Sequence, residues 1–122
     1  AMRMVFNNLI ANALRYSHSG TTLIIEVRQD QKFCIIDFID QGFGFKKKEL
    51  KKVFKKFYRV QNQETQDLEG AGLGLYISRQ IIKSHKGKIN AFSEGQGKGA
   101  RFMVSLPVDN TFAKKVKSLQ VR

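Results

Sequence analysis

The hydrophobic period of the chain changes from helical to alternating at residues 17–20, and this change constrains the fold most. Residues 2–16 contain no Gly or Pro, and their apolar positions, Leu14 among them, recur at helical spacing. A helix with one buried face is therefore predicted, ending at residues 17–20. Residues 21–28 then alternate apolar and polar, which predicts a half-buried strand.

Two further strands and two further helices are predicted after this point. Residues 29–32 form a turn into a strand over residues 33–40, so that the first two strands make an antiparallel hairpin. Residues 100–106 alternate in the same way. Helical spacing predicts helices over residues 46–59 and about 74–86, the second ending at Gly87 as a left-handed cap. The pattern predicts an α+β fold, in which helices cover one face of a mixed or antiparallel sheet.

Length and composition favour one soluble domain. The chain has 122 residues, 42% of them hydrophobic, which is enough for a single core. No stretch approaches the roughly 20 apolar residues of a membrane span, and the N-terminus has no basic segment followed by an apolar one. The one cysteine, Cys34, lies in an apolar run and is interpreted as a core residue of an intracellular protein.

The formal net charge of +12 is compatible with nucleic-acid binding, but its distribution argues against that function. The lysines of residues 46–56 flank an apolar stripe at helical spacing, made of Leu50, Val53, Phe54 and Phe57. They are interpreted as a solvated helix face, and the rest of the excess lies at the C-terminus. No nucleic-acid partner is predicted, while attraction to an acidic partner or to nucleotide phosphates stays open.

Asp40 ends the second predicted strand and is followed by Gly42 and Gly44. Alternation puts its carboxylate on the same face as Ile36 and Phe38, towards the covered side of the sheet. A carboxylate there needs a hydrogen-bond donor, and the exocyclic amine of adenine would be one. The glycines would allow a flat ligand to approach the backbone. Taken alone, however, Asp and Gly at these spacings are better explained as a turn.

Asn8 and Asn12 are four residues apart on the first helix, and Arg15 and Tyr16 continue the same face. A single Asn here would be interpreted as a core amide bonded to backbone. Two amides in register, followed by a cation and a phenol, favour a site. An amide oxygen is a hard ligand for Mg²⁺, and Arg15 and Tyr16 can reach phosphate oxygens.

Gly70, Gly72 and Gly74 precede the last predicted helix, whose first N–H groups would attract phosphate. A flexible hinge is the alternative interpretation. The dinucleotide fingerprint is excluded because its third glycine would fall at Leu75, and no GxxxxGK[ST] loop occurs. The HRD and DFG patterns of eukaryotic protein kinases are absent as well.

Taken in order, these motifs resemble those of the catalytic, ATP-binding domain of bacterial sensor histidine kinases. That domain belongs to the superfamily of type II topoisomerases, the heat-shock chaperone ATPase and the mismatch-repair ATPase. The resemblance runs from about residue 5 to residue 107. Residues 8–12 resemble the asparagine box, residues 40–44 and 70–75 the two glycine boxes, residues 53–59 the phenylalanine box and residues 97–102 the closing glycine motif.

The resemblance implies a two-layer α/β sandwich of the Bergerat type that binds ATP and Mg²⁺. Asn12 would be the metal ligand with Asn8 nearby, and Asp40 would bind the adenine amine. The catalytic positions carried over are Asn8, Arg15 and Arg59. The other pocket and lid positions are Tyr16, Gly42, Gly44, Phe54, Phe57, Gly70, Gly72, Leu73, Gly74, Leu75 and Ala100. Many relatives have Thr at position 100, whose hydroxyl supports the aspartate; this chain has Ala100.

Asn8 also indicates the reaction. ATPases and anti-sigma serine kinases of the superfamily place a Glu here as a base, whereas an amide cannot take a proton from water near neutral pH. Hydrolysis should be slow, and the γ-phosphate would go to a histidine on a separate dimerisation domain. Neither His18 nor His85 has the setting of that acceptor. A degenerate module acting in regulation, or a serine kinase or ATPase of the same superfamily, remain the alternatives.

The resemblance also implies a domain layout. Residues 1–107 would form the ATP-binding domain, with Phe54 and Phe57 anchoring an ATP lid over about residues 45–71, and residues 108–122 would form a basic tail. The isolated chain should bind ATP without autophosphorylating. Its partners would be the dimerisation domain and, indirectly, a response regulator. The first strand of typical relatives is missing, so an exposed sheet edge predicts homodimers. The location would be cytoplasmic, which is compatible with a parent anchored in the inner membrane.

Overall fold

The structure, a computed structural model, describes residues 1–17, 20–58 and 73–108. Helices and strands alternate irregularly along these ranges. They are α1 (Met2–Arg15), β1 (Ile24–Asp30), β2 (Phe33–Asp40), α2 (Lys47–Leu50), α3 (Gly74–Ser84), β3 (Lys88–Phe92) and β4 (Ala100–Pro107). The described strands form an antiparallel sheet in the order β1-β2-β4-β3. The predicted α+β sandwich is confirmed.

Helices α1 and α3 cover one face of this sheet. Helix α1 buries Val5, Leu9 and Ala13, at the spacing of four residues that aligns side chains on one helix face. Val5 and Leu9 pack with Ile82 of α3 against the inward residues of β2 and β4, which are Ile36, Phe38, Phe102 and Val104. Each large side chain buried in this way stabilises the fold by roughly 1.5–3 kcal/mol. Leu14, expected on the apolar face of α1, is 70% exposed instead.

Strand β1 differs from the half-buried strand predicted from the sequence. It pairs with β2 in the expected antiparallel hairpin, with Val27 opposite Ile36. All of its residues are exposed, however, including Ile25 and Val27 on the face of the core. The physical reason is its position at the edge of the described sheet, because α1 packs over β2 and α3 packs over β3. None of the described helices is long and apolar enough to cross a bilayer.

The helix predicted over residues 46–59 is wrong beyond its first turn. Helix α2 ends at Leu50, a series of turns follows, and Phe57 adopts a left-handed φ of 67°. Val53 is buried, and the Phe54 ring packs edge-on against Phe102 with centroids 6.2 Å apart. The segment therefore follows the surface of the core, and this tertiary packing overrides the helical spacing of its apolar residues.

The end of α3 also corrects a prediction. The left-handed residue is Lys86, at φ 62°, and not Gly87. Gly87 is required for a different reason, because a Cβ atom there would lie 2.5 Å from the carbonyl oxygen of Ser105. Strand β3 begins directly after Gly87 and pairs antiparallel with β4. The sequence pattern did not predict this strand.

Candidate functional site

The centre of the candidate site is the carboxylate of Asp40 at the end of β2. Asp40 is buried, and the antiparallel register puts Ala100 of β4 directly opposite it. The Oδ1 atom accepts hydrogen bonds from the backbone N–H of Gly42, at 2.9 Å, and of Ala100, at 3.0 Å. Burial raises the pKa of Asp40, and these two N–H bonds offset only part of that rise. Oδ2 accepts no hydrogen bond from the described residues.

Asp40 lies in the wall of a small cleft. Aromatic rings dominate the lining, with one carboxylate and one amide among them. The lining residues are Asn12, Tyr16, Asp40, Phe43, Gly44, Phe45, Ala100 and Phe102. Residues from α1, the end of β2 and β4 therefore meet here.

The segment after Asp40 is connected to the loop before β4. Gly97 N–H donates to the carbonyl of Phe43 at 2.6 Å, and Gly99 N–H donates to that of Gly42 at 3.0 Å. Gly44 has a left-handed φ of 67°, and a Cβ atom there would lie 2.3 Å from the carbonyl oxygen of Gly95. The two glycine-containing segments are thus packed backbone against backbone, which only glycine permits at position 44.

Ser93 connects the same two segments through its side chain, and the sequence analysis did not identify it. Its Oγ accepts the N–H of Phe45 at 3.1 Å and donates to the carbonyl of Gly99 at 2.7 Å. A serine directly after a strand is a frequent turn residue, so the sequence offers no signal that distinguishes this one.

Tyr16 connects the end of α1 to this region. Its carbonyl accepts the N–H of Phe43 at 2.8 Å, and the two rings meet edge to face with centroids 6.5 Å apart. A Cβ atom at Gly42 would lie 2.2 Å from the Tyr16 carbonyl oxygen. The first glycine motif therefore approaches the helix that carries Asn8 and Asn12. Arg15 is exposed on the same helix.

Asn8 does not line the cleft but connects α1 to the start of α3. Its Nδ2 donates to Ser78 Oγ at 3.3 Å and to the Gly74 carbonyl at 3.4 Å. Leu73, Gly74 and Leu75 are outside the cleft lining, and Leu75 packs against the core. The predicted positions Arg59, Gly70 and Gly72 lie outside the described residues, as do His18 and the part of the predicted lid from residue 59 onwards.

The two phenylalanines predicted to anchor the lid differ in their packing. The Phe54 ring lies between Phe102 and Arg79, whose guanidinium carbon is 5.7 Å from the ring centroid. Phe57 is 63% exposed, and only the Lys56 ammonium approaches its ring among the described groups, at 5.2 Å. Phe54 is therefore packed against the core side of its segment, whereas Phe57 is largely exposed, and the anchoring of a nucleotide lid by the two rings stays a prediction.

Asp37 is a buried charged residue that the sequence analysis missed. It lies on the sheet face opposite Asp40 and is 1% exposed. It accepts hydrogen bonds from Arg28 Nη1 at 2.7 Å and Arg101 Nε at 2.8 Å. Burial raises its pKa, but the two guanidinium groups outweigh burial and hold the pKa below its usual value. The Asp37–Arg101 pair also fixes β4 next to Ala100, whose N–H supports Asp40.

A metal ion at this site would depend on amide and ligand oxygens. No group of three His, Cys, Asp or Glu side chains that could hold a metal occurs within the described ranges. Asn12 lines the cleft, its amide oxygen is a hard ligand, and Mg²⁺ usually completes its coordination with waters and substrate phosphates. The donor set therefore fits Mg²⁺ brought in together with a phosphate ligand.

Comparison with known proteins agrees with this geometry. Residues 1–110 match the family described as histidine kinase-, DNA gyrase B-, and HSP90-like ATPase. The chain belongs to this family, and within it the chain is a catalytic, ATP-binding domain of the two-component sensor histidine kinase type.

Individual relatives support the same assignment. The chain is 41% identical over 105 residues to the sensor histidine kinase WalK of Bacillus subtilis. The aligned region covers 84% of this chain and 17% of WalK. It is 42% identical over 106 residues to the sensor protein RprX of Bacteroides fragilis, covering 85% and 20% respectively. The solved structure of the mycobacterial sensor histidine kinase MprB has a TM-score of 0.74 at 27% identity, over 85% of this chain and 68% of that one. The chain thus spans at most 20% of these two curated relatives.

Proposed function

We propose that this domain binds Mg-ATP with the adenine amine at Asp40 and donates the γ-phosphate to a histidine on a separate dimerisation domain. The observation that carries the proposal is the environment of the Asp40 carboxylate, which is buried and, among the described residues, only partly hydrogen-bonded. One oxygen is held by two backbone N–H groups, while burial in the cleft wall raises its pKa. A ligand N–H donor would stabilise the charged form, and the apolar rings of the cleft suit a planar base.

The phosphates would extend from the cleft past Asn12 towards the start of α3. Bound Mg²⁺ would neutralise phosphate charge, with the Asn12 amide oxygen as its ligand from the protein. Arg15 and Tyr16 would contact phosphate oxygens, and Arg59 would act on the phosphates or the partner domain. Such a site works mainly by positioning and charge, since phosphoryl transfer needs little covalent help from the protein.

The amide at position 8 favours transfer over hydrolysis. Asn8 is neutral and donates its N–H groups to α3, so it cannot act as a general base towards water. The isolated chain should therefore hold ATP with slow turnover and without autophosphorylation. An ATPase or a serine kinase of the superfamily would need another base.

In its cellular setting, the domain would act in the cytoplasm within a longer histidine kinase and serve a response regulator indirectly. The exposed edge of β1 supports a second role in pairing with another strand, and homodimers remain our prediction. Sedimentation at high concentration tests this point, and a monomer there would count against it.

One titration tests the proposed function. A fluorescent ATP analogue, with and without Mg²⁺, should bind the wild type, and Asp40→Asn should abolish most of the affinity. Asp30→Asn is the matched control, since Asp30 is an exposed carboxylate at the far end of β1. Absence of binding would indicate a degenerate module, and rapid hydrolysis would indicate an ATPase. Salt-sensitive binding to any DNA duplex without competition by ATP would favour a nucleic-acid function.

A further inference from the structure

Ser78 is a polar residue that lies fully buried at the contact between α1 and α3, with 0% exposure. Its hydroxyl oxygen accepts a hydrogen bond from Nδ2 of Asn8 on α1, at 3.3 Å. The same Nδ2 is 3.4 Å from the carbonyl oxygen of Gly74, one turn earlier on α3. Buried hydroxyl groups are normally hydrogen-bonded, and the Ser78 hydroxyl meets this requirement through Asn8. The contact between the two side chains therefore does more than fill space between α1 and α3.

The chemistry of the two contacts determines which way the Asn8 amide faces. A backbone carbonyl only accepts hydrogen bonds, so the amide atom that faces Gly74 must be the NH₂ group. Ser78 Oγ can accept the other N–H of that group. The amide oxygen of Asn8 consequently points away from α3, which leaves it available to a ligand or to a metal-bound water.

We propose that Ser78 is a positioning residue, which holds the Asn8 amide so that its oxygen serves the Mg²⁺-phosphate end of the nucleotide site. This inference rests on the proposed function. Ser78 acts through Asn8 and does not itself touch the ligand. With Ala at this position, the Asn8 amide would keep only the longer contact to Gly74 and could rotate to expose its NH₂ group to the phosphates.

The test measures how much Mg²⁺ strengthens binding of a fluorescent ATP analogue. In the wild type, Mg²⁺ should lower the Kd, and Ser78→Ala should reduce this Mg²⁺ effect several-fold while changing the Mg²⁺-free Kd less than twofold. Ser84→Ala is the control on the same helix, because within the described ranges its exposed hydroxyl bonds to groups near the end of α3, the Ile81 carbonyl and the His85 ring. It should leave the Mg²⁺ effect unchanged.

A double-mutant cycle separates positioning from packing. If Ser78 works through Asn8, Ser78→Ala combined with Asn8→Ala should lose no more of the Mg²⁺ effect than Asn8→Ala alone. Additive losses would overturn the proposal. So would a Ser78→Ala variant with a lower melting temperature and a wild-type Mg²⁺ effect, because that result describes a packing residue.

Two further outcomes are decided by additional measurements. If Ser78→Ala does not fold, Ser78→Cys keeps a side chain of similar shape with a weaker acceptor, and it should show a partial loss. A full Mg²⁺ effect in Ser78→Cys would count against the proposal. A wild type that binds no ATP analogue would refute the proposed function and this assignment together. Binding without any Mg²⁺ effect would refute this assignment and the proposed Mg²⁺ site, but not the binding of ATP at Asp40.

Discussion

Replacing Asp37 by Asn should destabilise the domain by about 2–3 kcal/mol at neutral pH. The variant loses the charge that accepts hydrogen bonds from Arg28 and Arg101, and bonds to charged groups contribute about 1.5–3 kcal/mol. Breaking a fully buried pair costs about 3–5 kcal/mol. The value here is lower because the two arginine side chains are 49% and 42% exposed and can be hydrated. The melting temperature should fall by about 10 °C.

The pH dependence of this loss tests its cause. The arginines hold the pKa of Asp37 below its usual value, and so below the roughly 3.9 expected in the unfolded chain. The stabilisation is therefore complete above the unfolded-state pKa and is lost as the pH falls through the folded-state pKa. Urea unfolding from about pH 7 to about pH 3 should show the wild type and Asp37→Asn converging in acid. Asp30→Asn should stay within about 0.5 kcal/mol of the wild type. An Asp37→Asn variant as stable as the wild type at neutral pH, or a difference that is independent of pH, would refute this reasoning.

Three further predictions follow from the site and its supports. Asp40→Asn should unfold at the same or a higher urea concentration than the wild type. The reason is that burial raises the pKa of Asp40, so its negative charge destabilises the fold above that pKa. A clearly lower urea midpoint for Asp40→Asn would contradict this prediction. Gly44→Ala should lower the free energy of unfolding by about 2 kcal/mol or more, because strain and a backbone clash combine. Gly97→Ala, with a positive φ but open space, should lose only about 1 kcal/mol, and equal losses in calorimetry would exclude the clash. Phe54→Ala should cost about 2 kcal/mol and Phe57→Ala less than about 0.5 kcal/mol, and the reverse order in urea unfolding would show that Phe57 is the anchor.

The parts of the fold that could be predicted have local signals. Helix α1, the β1–β2 hairpin and β4 follow from hydrophobic periods within single segments, and the same alternation puts Asp40 on the covered face. The helix over residues 46–59 was wrong although its periodicity was clear. Contacts of Phe45 and Phe54 with Phe102, distant in sequence, decide that conformation.

Other features depend on contacts that no local pattern contains. Strand alternation puts the Asp37 side chain on the face of β2 that was expected to face solvent. Its burial depends on arginines from the two neighbouring strands. The orientation of Asn8 depends on Ser78, which is seventy residues away. Strand β3 is short, with Ile89 as its one buried hydrophobic residue, so its pattern is too weak for a prediction. The motifs identified the family before the structure did, but the supporting contacts required three-dimensional information.

The most direct test of the central claim is a calorimetric binding cycle that pairs the change at Asp40 with a matching change in the base. The nucleotides are ATP and inosine triphosphate, which carries a carbonyl oxygen where adenine carries its amine. If Asp40 accepts the adenine amine, the wild type should prefer ATP by about 10-fold or more, since a hydrogen bond to a charged group contributes about 1.5–3 kcal/mol. Asp40→Asn should abolish or reverse this preference, because its NH₂ group can donate to the inosine carbonyl. Equal weakening of both nucleotides by Asp40→Asn would contradict the assignment of Asp40 as the residue that binds the base.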